Sequence, residues 1–216
     1  MFYIVGLGNP EEEYNNTRHN TGRMAVLKLH KDLGFEDFEF NKKSNALISE
    51  GKIGKEKLIL ILPETFMNKS GSAVSYFVKP IPKSSATKTP AKRKKGLENL
   101  IVVHDDIDLP LGSLKISYNK GMGGHKGLES IVKAVKTKEF VRFRIGVSPA
   151  TNKGKVKKPG ANLTPKKAGE AVIDFILGKF KPKELEIMKK TFKKTSEGIQ
   201  TLILEGRDRA MNEFNS

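Results

Sequence analysis

Residues 97–110 read LENLIVVHDDIDLP, and this stretch decides the fold class. Its apolar run at 100–103 stops abruptly in charge at His104, the pattern of a short, fully buried strand whose end carries polar side chains. Working outward, FYIVGLG at 2–8, ALISEGKIG at 46–54, EKLILILP at 56–63 and FVRFRIGV at 140–147 also read as strands, and SLKISYN at 113–119 alternates like an exposed edge. Between them lie helix-like runs. GRMAVLKLHKDLG at 22–34 repeats Met24, Leu27 and Leu33 near three-to-four spacing and stops at Gly34. NKSGSAVSYFVK at 68–79 and HKGLESIVKAVKT at 125–137 follow the same logic, and the tail from 166 to 209 is mostly helical by pattern. Strands separated by helix-length segments predict an α/β layered fold, a mostly parallel, mixed sheet flanked by helices. The length of 216 residues suits one domain, and no internal repeat divides it.

In such sheets chemistry gathers beyond the carboxyl ends of strands. The residues that follow three of the predicted strands are NP at 9–10, ETFMN at 64–68 and HDD at 104–106, which predicts that Asn9, Asn68 and Asp105 share one rim. The loop NNTRHNTG at 15–22 adds His19 among amide side chains. Each residue taken alone has a plain structural explanation: a solvated loop, a cap, a turn carboxylate. Together they fit water-activated hydrolysis, with a histidine base, a carboxylate that fixes its tautomer, and asparagine amides for a developing oxyanion.

Composition narrows the field. There is no cysteine, so disulfides, thiolate zinc sites and a cysteine nucleophile are excluded. No run approaches the length that spans a bilayer, and MFYIVGLG lacks a basic leader and a cleavage site, so a cytoplasmic protein is expected. Against 24 acidic residues stand 40 Lys and Arg, for a net charge of +16. The segments 80–96 and 151–168 each hold six basic residues and no acid, together twelve of those sixteen charges. Both are rich in Pro, Gly, Ser or Thr and are expected to be loop insertions outside the core. Clustered, unopposed charge exceeds what solubility requires and favours a polyanionic partner. GLGNPE is no dinucleotide fingerprint, because Glu11 stands where the third glycine belongs and carboxylates would repel a pyrophosphate.

The motifs GLGNPEEEY, TRHNTG, PETFMNKSG, VVHDDIDLPLG, GMGGHKGLESI and RFRIGV, in this order and spacing, resemble the bacterial-type peptidyl-tRNA hydrolase family. The resemblance covers nearly all of the chain outside the two basic segments. It implies a monomeric α/β enzyme that needs no metal or other cofactor and cleaves the ester between a peptide and the tRNA 3′ ribose. Carried over by position, it makes His19 the general base and Asp105 its orienting carboxylate. Asn9, Tyr14, Asn20, Met67, Asn68, His125 and Lys126 would line the substrate site, and Lys115 and Arg144 would grip a tRNA phosphate. Two positions depart from the family pattern: Lys126 stands for an asparagine that could accept a hydrogen bond, and Ser117 for a second phosphate-binding lysine. An RNA-binding protein on the same fold and a general esterase are the competing readings. The first has no need of a histidine–carboxylate pair, and the second lacks the usual nucleophile.

Overall fold

The computed structural model describes residues 1–78, 97–151 and 155–215, so the basic segment 80–96 lies outside the described residues. The strands are β1 (Phe2–Gly6), β2 (Glu39–Asn41), β3 (Ala46–Ile53), β4 (Glu56–Pro63), β5 (Leu100–Pro110), β6 (Leu114–Tyr118) and β7 (Val141–Ser148). The helices are α1 (Thr21–Leu33), α2 (Ser70–Phe77), α3 (Lys126–Val135), α4 (Pro165–Leu177), α5 (Pro182–Glu205) and α6 (Arg207–Phe214), with short 3-10 turns at Arg18–Asn20 and Met67–Lys69. All seven strands form one sheet in the order β2-β3-β4-β1-β5-β7-β6.

The four central strands, β4, β1, β5 and β7, run parallel, while β2–β3, β3–β4 and β6–β7 pair antiparallel. The sheet is therefore mixed, with its parallel part in the middle, where both faces are covered. Alternation along β1 shows this directly. Ile4 packs with Val26 and Leu29 of α1, Met188 and Ile199 of α5 and Phe214 of α6. Its neighbour Val5 packs on the opposite face with Val74 of α2 and Leu128 and Ile131 of α3. Fully burying an aliphatic side chain of this kind is worth about 1.5–3 kcal/mol, so the two apolar layers account for the stability of the stack.

Three expectations need correction. β5 does not end at His104; it runs to Pro110, because β7 continues to pair with it through Asp106 and again, after an irregularity, at Pro110. Asp105 thus projects from within a strand. In α1 the fully buried face is Ala25, Val26 and Leu29, with Met24 and Leu33 packed beside it, whereas Leu27 is exposed; spacing found the helix but put Leu27 on the wrong face. The segment 151–168 is not loop throughout: it makes a bridge between Ala150 and Val156 and enters α4 at Pro165. Its charge is not wholly unopposed either, since Lys158 Nζ lies 2.6 Å from Asp108. Among the described residues no helix is long and apolar enough to cross a membrane.

Candidate active site

Three adjacent parallel strands, β4, β1 and β5, point to the same edge of the sheet; the chain leaving β4 and β1 there, and Asp105 from within β5, supply one cluster. Gly22 sets the geometry. A Cβ there would stand 2.1 Å from Val103 O and 2.7 Å from Leu7 N, so only glycine lets the first turn of α1 press onto the ends of β1 and β5. Arg23 N–H then donates to Leu7 O at 2.9 Å and Leu7 N–H to Val103 O at 3.0 Å, which fixes the preceding 3-10 turn, Arg18–Asn20, against the rim.

His19 in that turn is buried, with Nδ1 at 3.1 and 3.2 Å from the two carboxylate oxygens of Asp105. A carboxylate only accepts, so His19 Nδ1 carries the proton and Nε2 keeps its lone pair. On the other side His125 Nε2 lies 3.0 Å from Asp105 Oδ1. The tautomer of His125 is determined by its second nitrogen: as N-cap of α3 its Nδ1 accepts from the N–H groups of Gly127 and Leu128 at 3.2 and 3.4 Å, so Nε2 is the donor. Burial alone would push the Asp105 carboxyl up, but the two imidazoles beside it hold it well below the usual carboxylate range. For His19 burial disfavours the charged ring, and the charge and hydrogen bond of Asp105 outweigh that and raise its pKa. The ligand-capable atoms of His19, Asp105 and His125 lie within 4.8 Å of one another, close enough to share a cation; their mutual hydrogen bonds account for the same closeness.

The amides are ordered in the same way. Asn20 Oδ1 accepts from Asn9 N–H at 2.8 Å, and Asn20 Nδ2 donates to Asn9 O at 3.0 Å. Bonded at both ends of its amide, the buried Asn20 is a clamp on Asn9. Asn9 Oδ1 accepts from Met67 N–H at 2.8 Å, which orients the side chain so that Nδ2 is its remaining donor. Met67 is buried, and a Cβ on Gly127 would come within 2.5 Å of its sulfur, so it packs the 3-10 turn after β4 against the start of α3. Asn68 is exposed on that turn, and Tyr14 is half-buried in the loop before His19.

A cavity of about 510 Å³ opens beside the histidines. His19, Asp105, His125 and Lys126 line one end, Lys120, Arg142 and Arg144 its cationic floor, and Val172, Ile173 and Ile176 of α4 an apolar wall. Asn9, Tyr14, Asn20, Met67, Asn68 and Lys115 are not among its lining residues. Lys126 extends into solvent and pairs with Glu129 at 3.0 Å. Arg144 pairs across the sheet with exposed Lys115, as a shared phosphate grip requires, but its Nε is held by Asp106 at 2.7 Å, so its charge is already partly met.

Sequence reasoning missed four participants. His104 is buried directly before Asp105; its Nδ1 donates to Asp105 O at 2.6 Å while Nε2 has no partner among the described residues, and burial, reinforced by His125 and Arg142, pushes its pKa down to about 3. Arg142 is buried over the Phe140 ring and donates to Gly121 O at 2.7 Å, with Nε and Nη2 unpartnered among the described residues. Asp106 restrains Arg144, and Arg18 ties the His19 turn to the carboxyl-terminal helices. Of these only His104 carried a visible signal, as a polar residue at the end of an apolar run.

Comparison with known proteins gives the family. The family model described as peptidyl-tRNA hydrolase matches residues 3–216. A peptidyl-tRNA hydrolase of Carboxydothermus hydrogenoformans is 38% identical over 216 residues, covering 100% of this chain and 98% of the relative. One from Dehalococcoides mccartyi is 35% identical, with 100% of both chains covered. A crystal structure of peptidyl-tRNA hydrolase from Acinetobacter baumannii superposes with a TM-score of 0.78 at 28% identity, over 100% of this chain and 95% of that one.

Proposed function

The chain belongs to the peptidyl-tRNA hydrolase family, and on that premise we propose that it hydrolyses the ester joining a peptide to the 3′ ribose of tRNA, with His19 as general base and no metal in the reaction. One observation carries the mechanism: the Asp105 carboxylate sits between His19 Nδ1 and His125 Nε2, an arrangement that leaves the Nε2 lone pair of His19, a residue lining the cavity, without a hydrogen-bond partner among the described residues.

In this reading His19 Nε2 takes a proton from water as the hydroxide oxygen attacks the ester carbonyl carbon. Asn9 Nδ2, fixed by Met67 N–H and by the Asn20 clamp, donates to the oxygen on which negative charge develops. The tetrahedral intermediate then collapses, the bond to the ribose 3′ oxygen breaks, and that oxygen recovers the proton from His19. Asn68 and Met67 meet the peptide, and His125 keeps Asp105 in register. The cationic floor of Lys120, Arg142 and Arg144, together with Lys115 and Lys126, attracts the phosphates of the tRNA end. The substrate class and the surplus of positive charge are mutually consistent, since nucleic acid is the polyanion the composition favours.

The test is incubation with N-acetyl-aminoacyl-tRNA beside free aminoacyl-tRNA, with and without a chelator. Release of amino acid from the blocked substrate alone, unaffected by chelation, is the expected result. Tight binding of tRNA with no release would replace the enzyme with an RNA-binding protein on this fold, and loss of activity restored by added metal would end the metal-free mechanism.

A further inference from the structure

The residue beside His19 faces a different part of the molecule. Arg18 Nη1 donates to the carbonyls of Gly178 and Lys179 at 3.1 and 3.2 Å, and Nη2 to both carboxylate oxygens of Glu184 at 3.2 and 2.9 Å. The guanidinium lies over the Phe175 ring at 4.5 Å and the Phe180 ring at 5.3 Å, and its side chain is 10% exposed. Backbone bonds reinforce the join: Arg18 N–H donates to Gly178 O at 3.1 Å and Phe180 N–H to Asn16 O at 2.9 Å. Glu184 serves twice, because it also accepts from Lys181 N–H at 2.7 Å and so sets the first turn of α5. A planar five-donor fork suits such a joint; an ammonium cannot meet two carbonyls and a carboxylate in this geometry.

What Arg18 holds is the outer wall of the cavity. α4 supplies Val172, Ile173 and Ile176 to that wall, yet it buries none of its residues. Apart from half-buried Phe175, which also reaches the core, its packing on the described chain is concentrated on the Arg18–Asn20 turn. An amphipathic helix without a buried stripe has little of its own to keep it seated. Its position therefore depends on the same three-residue turn that carries His19.

We propose that Arg18 is a positioning residue that locks α4 to the His19 turn, so that the cavity wall and the base hold or lose their places together. This rests on the reading of His19 as base. A substrate that seats against α4 thereby steadies His19, and a loosened α4 lets the imidazole drift from Asp105. Arg18 touches neither water nor ester; it acts through its neighbour.

The experiment compares wild type with Arg18→Lys and the milder Glu184→Gln by three readouts: hydrogen exchange of α4 amides, imidazole NMR titration of His19, and kinetics on N-acetyl-aminoacyl-tRNA. Burial and Asp105 on β5 govern that titration; the other titratable groups packed around it are His125 before α3, His104 behind His125, and the adjacent Arg18. Expected are faster exchange in α4, a His19 titration displaced toward lower pH as contact with Asp105 weakens, and kcat lowered about 10- to 100-fold with a smaller change in KM. Both variants should rank in the same order on all three. Faster α4 exchange with an unmoved His19 titration and normal kcat would make Arg18 a brace and nothing more, and unchanged exchange would remove the lock altogether. If Arg18→Lys fails to fold, Glu184→Gln decides alone. The first two readouts need no turnover, so a failure of the base mechanism, seen as a fully active His19→Ala, would be told apart from a failure of the coupling.

Discussion

His19 and His125 approach the same oxygen of Asp105, at 3.1 and 3.0 Å, with their rings 4.9 Å apart. The two imidazoles are not equivalent. His125 has its second nitrogen tied to the amino end of α3, whereas the second nitrogen of His19 has no hydrogen-bond partner among the described residues, as the proposed base requires. A carboxylate that accepts from both has its orientation set by the rigid partner, and it passes that orientation to the working one.

The pH profile follows. A base must be neutral to act, so kcat should fall on the acid side with a midpoint above the ordinary imidazole value of 6.5, because Asp105 raises the His19 pKa. In Asp105→Asn the raising influence is gone and burial remains, so the acid limb should move to lower pH. The plateau should also drop about 10²-fold or more, since an amide can hold the ring in the wrong tautomer. Profiles of kcat against pH for both proteins check this, and a limb that stays in place would separate Asp105 from the base.

His104 makes a separate prediction about stability. It is folded in the neutral form with a pKa near 3, against 6.5 for an exposed imidazole. The folded-state value is depressed, so the stability it contributes is complete above about pH 6.5 and is lost as pH falls toward 3. Within that window the slope approaches about 1.4 kcal/mol per pH unit. His104→Gln removes the titration, so urea unfolding at pH 4, 5 and 6 should show wild type losing stability more steeply than the variant by about 1 kcal/mol per unit. Parallel slopes would mean that His104 is not buried neutral.

Much of this site was legible in the sequence, for a physical reason. Asn9, Asn68 and Asp105 follow apolar runs spaced for crossover connections, and parallel strands with such connections must end on one edge. His19 could be placed there because its loop precedes a helix that returns over the same strands. Arg18 was opaque because its partners lie some 160 residues away and are mostly backbone carbonyls, which no side-chain pattern announces. The continuation of β5 through Asp105 was hidden because charge was taken as the end of a strand, whereas pairing with β7 keeps the backbone extended. Leu27 misled because periodicity registers apolar type and not contact.

Grip and chemistry should separate in the salt dependence. The six basic residues of segment 80–96 lie outside every motif of the site. Each that neutralises a phosphate adds about 0.7–0.9 to the slope of log affinity against log salt. Replacing the segment with a neutral linker should raise KM at physiological salt, flatten that slope and leave kcat at saturation nearly unchanged. An unaltered slope would assign the charge to solvation.

The central claim is that a neutral His19 takes the proton from the attacking water, and single-turnover hydrolysis of N-acetyl-aminoacyl-tRNA by His19→Ala tests it most directly, with tRNA affinity measured in parallel. The account predicts a rate lowered by roughly 10²–10⁴-fold with affinity within a few-fold of wild type. Near-normal turnover by the variant would contradict it.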